Sequence, residues 1–227
     1  MVAVPAKPGQ NLDYLISQQI LSLPPSKAQQ RQIQIVEAAI KVFAAVGIEK
    51  ATYDKIAKIC RVTRPLIQHY FPDKEQLFEL VVKYIRGHFQ AIAIRAIERG
   101  TSETEQLKSY ISSTFRWLDD FPEHVQVWML FYFLSSHHAK YRKINTELVG
   151  MGHGRIAALI ERGTESGQFE SKDYQIDAKL IQTAITGALV SLTTEDFSID
   201  RKVFEKQVVE ECLRIIQPRP TKKKRRV

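Results

Sequence analysis

Between residues 52 and 74 the sequence gathers Thr52, Thr63, Arg64, Gln68, His69, Tyr70 and Lys74, side chains with the chemistry of nucleic-acid recognition. A guanidinium matches the O6/N7 edge of guanine and a carboxamide matches adenine, so Arg64 and Gln68 are the candidates for base reading. His69 can address either bases or phosphates. Thr52 and Lys74 fall where helices are expected to begin, and unpaired N–H groups with the helix dipole favour phosphate there. A second concentration lies between Phe115 and Tyr141, where Phe115, Trp117, Phe121, Trp128, Phe131, Tyr132 and Phe133 crowd together with His124, Met129, His137 and His138. Two helical stripes need fewer aromatics than this, and an apolar pocket with a few polar groups is what a small-molecule site requires. Trp117, His124, Trp128, Tyr132 and, further on, Met151 are the candidates for it. Ordinary core packing is the competing reading. His137 and His138, adjacent on an expected helix, would point about 100° apart and make a poor chelate pair.

These side chains need helices to carry them. Ser26 is a good N-cap, followed by Ile33, Val36, Ile40 and Phe43 at spacings of three and four, with Gly47 as a C-terminal stop. Thr52 opens a short helix through Ile56, Ala57 and Ile59. Another begins at Thr63 with Pro65 in its first turn, where the missing N–H is harmless. Ala57 at a close crossing, Val62 in the turn and Ile67 ten residues after Ala57 have the spacing of a helix-turn-helix. Pro72 breaks the chain and Asp73 caps a long helix from Lys74 into the region 92–97. Beyond Gly100, helices are expected over roughly 104–119, 122–136, 140–162, 175–193 and 200–217. No strand alternation appears, so the fold class is all-α, with an N-terminal helix-turn-helix domain followed by a larger helical body.

The stretch 31–82, RQIQIVEAAIKVFAAVGIEKATYDKIAKICRVTRPLIQHYFPDKEQLFELVV, resembles the DNA-binding domain of the TetR family of bacterial transcriptional regulators. The likeness rests on Ala39, Phe43, Gly47, Thr52, Ile56, Ala57, Val62, Thr63, Tyr70, Phe71, Lys74, Glu75 and Leu77, in register over about 50 residues. It implies a first helix bracing the motif, a recognition helix over 63–70, phosphate contacts from Tyr70 and Lys74, and a fourth helix leading to an effector-binding body that dimerises. Two positions depart from the family pattern. Arg61 stands where the turn usually has Gly, which means either a strained left-handed residue, at about 1 kcal/mol, or a turn of different shape. Gln68 replaces a common Tyr, and LIQHYF is closer to BetI-like, choline-responsive members. The stretch VWMLFYFLSSHHAKYRKINTELVG weakly resembles their C-terminal domain, which makes an aromatic cage for a quaternary ammonium ion conceivable.

The chain has 227 residues, 33 Lys+Arg and 25 Asp+Glu, for a formal charge of +8. Residues 1–87 hold 12 basic and 7 acidic groups, residues 88–217 hold 15 and 18, and the last ten hold six and none. The expected organisation is an extension over 1–25 with an amphipathic stripe (Leu12, Leu15, Ile16, Ile20, Leu23), a DNA-binding domain over 26–87, a ligand-binding and dimerisation domain over 88–217, and a disordered basic tail over 218–227. For that tail, PRPTKKKRRV, a solubilising role, an auxiliary phosphate contact and a nuclear-import-like signal all stay open. Cys60 and Cys212 match no metal-ligand spacing, and no run reaches the ~18 apolar residues of a membrane span. No signal-peptide order is found at the N-terminus, so a cytoplasmic protein without membrane partner, metal or cofactor is expected. No GxSxG, HExxH or P-loop is present. The glycines of GMGHGR (Gly150, Gly152, Gly154) follow no strand and are expected to relax a helix or admit a close neighbour. The composite expectation is a repressor that binds a pseudo-palindromic operator in double-stranded DNA as a homodimer and is released by a small-molecule effector. The alternatives are a ligand-independent DNA-binding regulator and a helical enzyme with a vestigial DNA-binding head.

Overall fold

The computed structural model of the chain describes residues 26–194 and 198–216. The amphipathic stripe over 12–23 and the basic tail lie outside them. The described residues form nine helices and no strand: α1 (Lys27–Lys50), α2 (Tyr53–Cys60), α3 (Arg64–Tyr70), α4 (Lys74–Glu98), α5 (Glu103–Asp120), α6 (Pro122–His137), α7 (Ala139–Glu165), α8 (Tyr174–Thr194) and α9 (Arg201–Ile216).

Local chemistry accounts for where the helices begin and end. Ser26 and Gln29 make a reciprocal capping box, with Ser26 N–H donating to Gln29 Oε1 at 2.7 Å and Gln29 N–H to Ser26 Oγ at 3.3 Å. Gly47 kinks α1 three residues before its end, with a φ of 72° and ψ of 176° that belong to a region only glycine occupies readily. Thr52 Oγ1 accepts from Lys55 N–H at 3.3 Å, and Asp73 Oδ1 accepts from Glu75 N–H at 2.7 Å and Gln76 N–H at 3.3 Å. Each cap satisfies a donor that the first helical turn would otherwise leave unpaired.

Residues 26–92 and 117–142 form one compact unit, and residues 93–116, 143–194 and 198–216 form another. This differs from a single boundary at 87/88. α6 packs against α1, so the segment that carries most of the aromatics joins the N-terminal helices. In the first unit Ile35, Val36, Ala39, Ile40 and Phe43 of α1 face the core with Ile56, Ile67, Leu77, Phe78 and Val81. Phe43 meets Phe78 edge-on, 5.5 Å between ring centroids. Lys140 pairs with Glu75 at 3.1 Å and also with Glu79, tying the start of α7 to the first turns of α4.

In the second unit α8 packs against α9, over a core that includes Ile156, Leu159, Ile181, Ile185, Cys212 and Ile216. Gly163 sits under the Phe169 ring, which leaves no room for a Cβ. Of the GMGHGR glycines only Gly152 has a close neighbour, Gln182 Oε1 at 2.9 Å from the place a Cβ would take; Gly150 and Gly154 face open space. All three lie inside helix α7.

Candidate nucleic-acid interface

α2 and α3 meet through a short turn. Ile67 is fully buried and Ala57 nearly so, and these two lock α3 onto α2 as their ten-residue spacing requires. Tyr53 of α2 donates its hydroxyl to Phe71 O at 2.7 Å, fastening the far end of α3. The turn itself passes through Arg61, at φ 53° and ψ 47°, the one non-glycine residue with positive φ among those described. Of the two readings of that position, the left-handed one holds. Arg61 is the C-cap of α2, and Val62 N–H closes the turn onto Ala57 O at 3.1 Å.

With the inner face of α3 fixed, the outer face presents what remains. Thr63, Arg64, Gln68 and His69 are exposed and Tyr70 is half-buried. Arg64 and Gln68 are four residues apart on one helical face. Thr63 is the N-cap of α3 but makes no side-chain capping bond, so its hydroxyl is not committed to the helix end. Thr52 is exposed at the N-terminus of α2. Arg64 Nη1 donates to Asp54 Oδ2 at 3.1 Å, a partner that helical periodicity does not point to. Lys74 also departs from a simple phosphate ligand: its ammonium donates to Ile48 O at 2.8 Å and to Glu49 O and Ala51 O at 3.3 Å. It thus caps the C-terminal carbonyls of α1, where a cation complements the helix dipole.

Four of the five small-molecule candidates fall in the same unit, in two groups of rings. Trp117, Trp128 and Tyr132 are in sequential contact, with centroids 6.3 and 5.7 Å apart, and Phe89 lies 4.8 Å from Trp117. His124 joins His88 at 5.2 Å, Phe121 at 5.2 Å and Tyr84 at 6.3 Å. Trp117 is 97% buried (3% exposed) and its indole N–H has no partner; nor has His124 Nδ1. Burial, with His88 adding a smaller effect, pulls the His124 pKa down to about 4, so this imidazole is neutral near pH 7. Met151 belongs to the second unit and is 47% exposed. His138 has left the helix, with φ −116° and ψ 122°, so the fixed angle expected between His137 and His138 does not apply. Among the described residues no three His, Cys, Asp or Glu side chains are grouped as metal ligands, and no helix is long and apolar enough to cross a membrane.

Residues 35–81, from within α1 to within α4, match the family of bacterial regulatory proteins, tetR family. This segment carries the likeness to the DNA-binding domain of the TetR family. It is 32% identical over 103 residues to the transcriptional regulator BetI of Rhizobium meliloti, an alignment covering 45% of this chain and 50% of that one. The chain spans about half the length of the curated relatives it matches. Among solved structures, a protein from Saccharomonospora viridis in complex with choline superposes with a TM-score of 0.76 at 16% identity, covering 84% of this chain and 99% of the other. FadR from Bacillus subtilis in complex with stearoyl-CoA gives 0.70 at 22% identity, over 80% and 97%. At these identities the solved structures speak for the fold.

Three features of the chain are not signalled by its sequence pattern. Asp54 has a signal only in its charge, as the sole acid between Thr52 and Tyr70. Tyr84, His88 and Phe89 of α4 contribute three of the eight rings in the two groups, and the i, i+4 spacing of Tyr84 and His88 is the available clue. Gly163 carried no local signal, because its close neighbour lies across a turn.

Proposed function

We propose that this protein is a TetR-family transcriptional repressor that binds a two-fold operator through α3. The observation that carries the proposal is the asymmetry of α3: Ile67 is locked inward while Thr63, Arg64, Gln68 and His69 are exposed together. Base-edge readers on one face of a helix held by its other face are what major-groove insertion requires. Dimerisation is supported by α8, where Ile176 at 58%, Leu180 at 51% and Val190 at 40% exposure form one stripe with Gly187, at spacings of four, seven and three. Isolated subunits rarely leave such an apolar stripe uncovered. The effector is proposed to meet the rings around Trp117, Trp128, Tyr132 and His124, where two buried nitrogens lack partners. Structural neighbours of this fold were solved with ligands as unlike as choline and stearoyl-CoA, so lining side chains rather than fold set the effector's chemistry. Release would follow if the effector binds one of two dimer geometries more tightly than the other.

Selection of duplexes from a random-sequence library by the purified protein, followed by footprinting of the winners, tests this. A protected site with two-fold symmetry is expected, and Arg64→Ala should relax the preference at one base pair per half-site, a loss of about 1–3 kcal/mol of discrimination there. Recovery of no common sequence at low salt would sink the regulator reading.

A further inference from the structure

Asp54 lies in the first turn of α2 and Arg64 is the first residue of α3. The tight turn brings them together, Asp54 Oδ2 to Arg64 Nη1 at 3.1 Å, with both side chains more than half exposed. Stability does not explain the pair, since exposed ion pairs contribute only about 0–1 kcal/mol. A surface meant for phosphates gains nothing from a carboxylate either, and between Thr52 and Tyr70 this one stands alone among Lys55, Lys58, Arg61 and Arg64.

We propose that Asp54 is a positioning and specificity-determining residue, holding the Arg64 guanidinium so that it reads a base and does not settle on phosphate. The inference rests on the DNA-binding reading of α3. A guanidinium has five N–H donors in a fixed fork, and the pair engages Nη1 alone. Nη2 and Nε keep the two parallel donors that guanine O6 and N7 need, so bidentate base reading is compatible with the pair. Contact with a phosphate is not equally compatible, because it brings a second anion beside the Asp54 carboxylate. Asp54 therefore costs little at a cognate site and disfavours sequence-independent binding, which acts on the ratio between the two.

The test uses the full chain, the duplex it selects from a random library and a scrambled duplex, with affinities read by fluorescence anisotropy across a salt series. In Asp54→Asn the scrambled duplex should bind about 3- to 5-fold more tightly, the scale of one exposed pair, while the selected duplex changes less. The salt slope on scrambled DNA should steepen by about 0.9, one added phosphate contact. In an Arg64→Ala background the same substitution should move both duplexes by one common factor. Asp54→Ser should reproduce the Asn result, and Glu98→Gln, an equal change of charge elsewhere, should leave the ratio of affinities unaltered. Equal tightening of both duplexes in Asp54→Asn with Arg64 present would overturn the proposal and leave DNA reading standing. Failure of the wild-type chain to select any sequence would remove the DNA-binding reading, and this inference with it.

Discussion

At the scale of single residues, Arg61 and Lys74 hold the turn and the end of α1 that frame the motif. Arg61 sits in the left-handed region at φ 53°, where a Cβ is crowded by its own carbonyl. Arg61→Gly should therefore raise unfolding stability by about 1 kcal/mol, measured by denaturant titration. Removing its charge should also weaken binding to all duplexes alike. No gain in stability would mean that contacts of the Arg61 side chain offset the backbone cost. Lys74 spends its ammonium on three carbonyls at the end of α1, so its contribution to a phosphate site would be shared with an internal cap. Arg64 differs from both, because its ion pair with Asp54 is exposed and engages only Nη1.

At the scale of elements, α4 matters for more than its link to the recognition helix. Its first turn is capped by Asp73 and paired with Lys140, while Tyr84, His88 and Phe89 further along enter the ring groups with α5 and α6 residues. Burial of His124 among these rings, with a smaller effect from His88, gives this packing a pH signature. His124 titrates near 4 when folded, against an ordinary value of about 6.5, so between these limits the unfolded chain binds more protons. Its contribution to stability is thus complete above about pH 6.5, declines as the pH falls, and is exhausted below about pH 4. Thermal unfolding followed from pH 7 to pH 4 should show a steeper fall in Tm for the wild type than for His124→Gln. Parallel curves would mean that the imidazole is not desolvated as the structure has it.

At the scale of the whole molecule, the proposed repressor needs two copies, because successive major-groove faces lie about 34–36 Å apart and one copy presents a single α3. The exposed stripe on α8 offers the surface for it. Leu180→Glu places a charge there, and an interface with two-fold symmetry feels each substitution twice. Since Leu180 is half exposed in the single chain, the variant should fold with little change in stability. It should sediment as a monomer and bind the selected duplex at least about tenfold more weakly, because only one half-site is engaged. A variant that stays dimeric would move the interface elsewhere. Charge follows the same division of labour, with 12 basic against 7 acidic groups up to residue 87 and 15 against 18 over 88–217.

The helices and the helix-turn-helix were legible in the sequence because their causes are local. Ser26, Thr52 and Asp73 cap within three residues, Gly47 breaks the regular run of α1 through its own φ, and Ala57 and Ile67 are only ten residues apart. Each expected helix beyond Gly100 lies within three residues of the observed one at either end. What the tertiary structure alone decided are the meetings of distant residues: Lys74 with carbonyls 23 to 26 positions back, Glu75 with Lys140 across 65, and the rings of α4 with Trp117 and His124. The site of Arg61 could be named in advance, but not its φ. These depend on where helix axes cross and at what angle, and a periodic pattern records which face of a helix is apolar without recording what that face will meet.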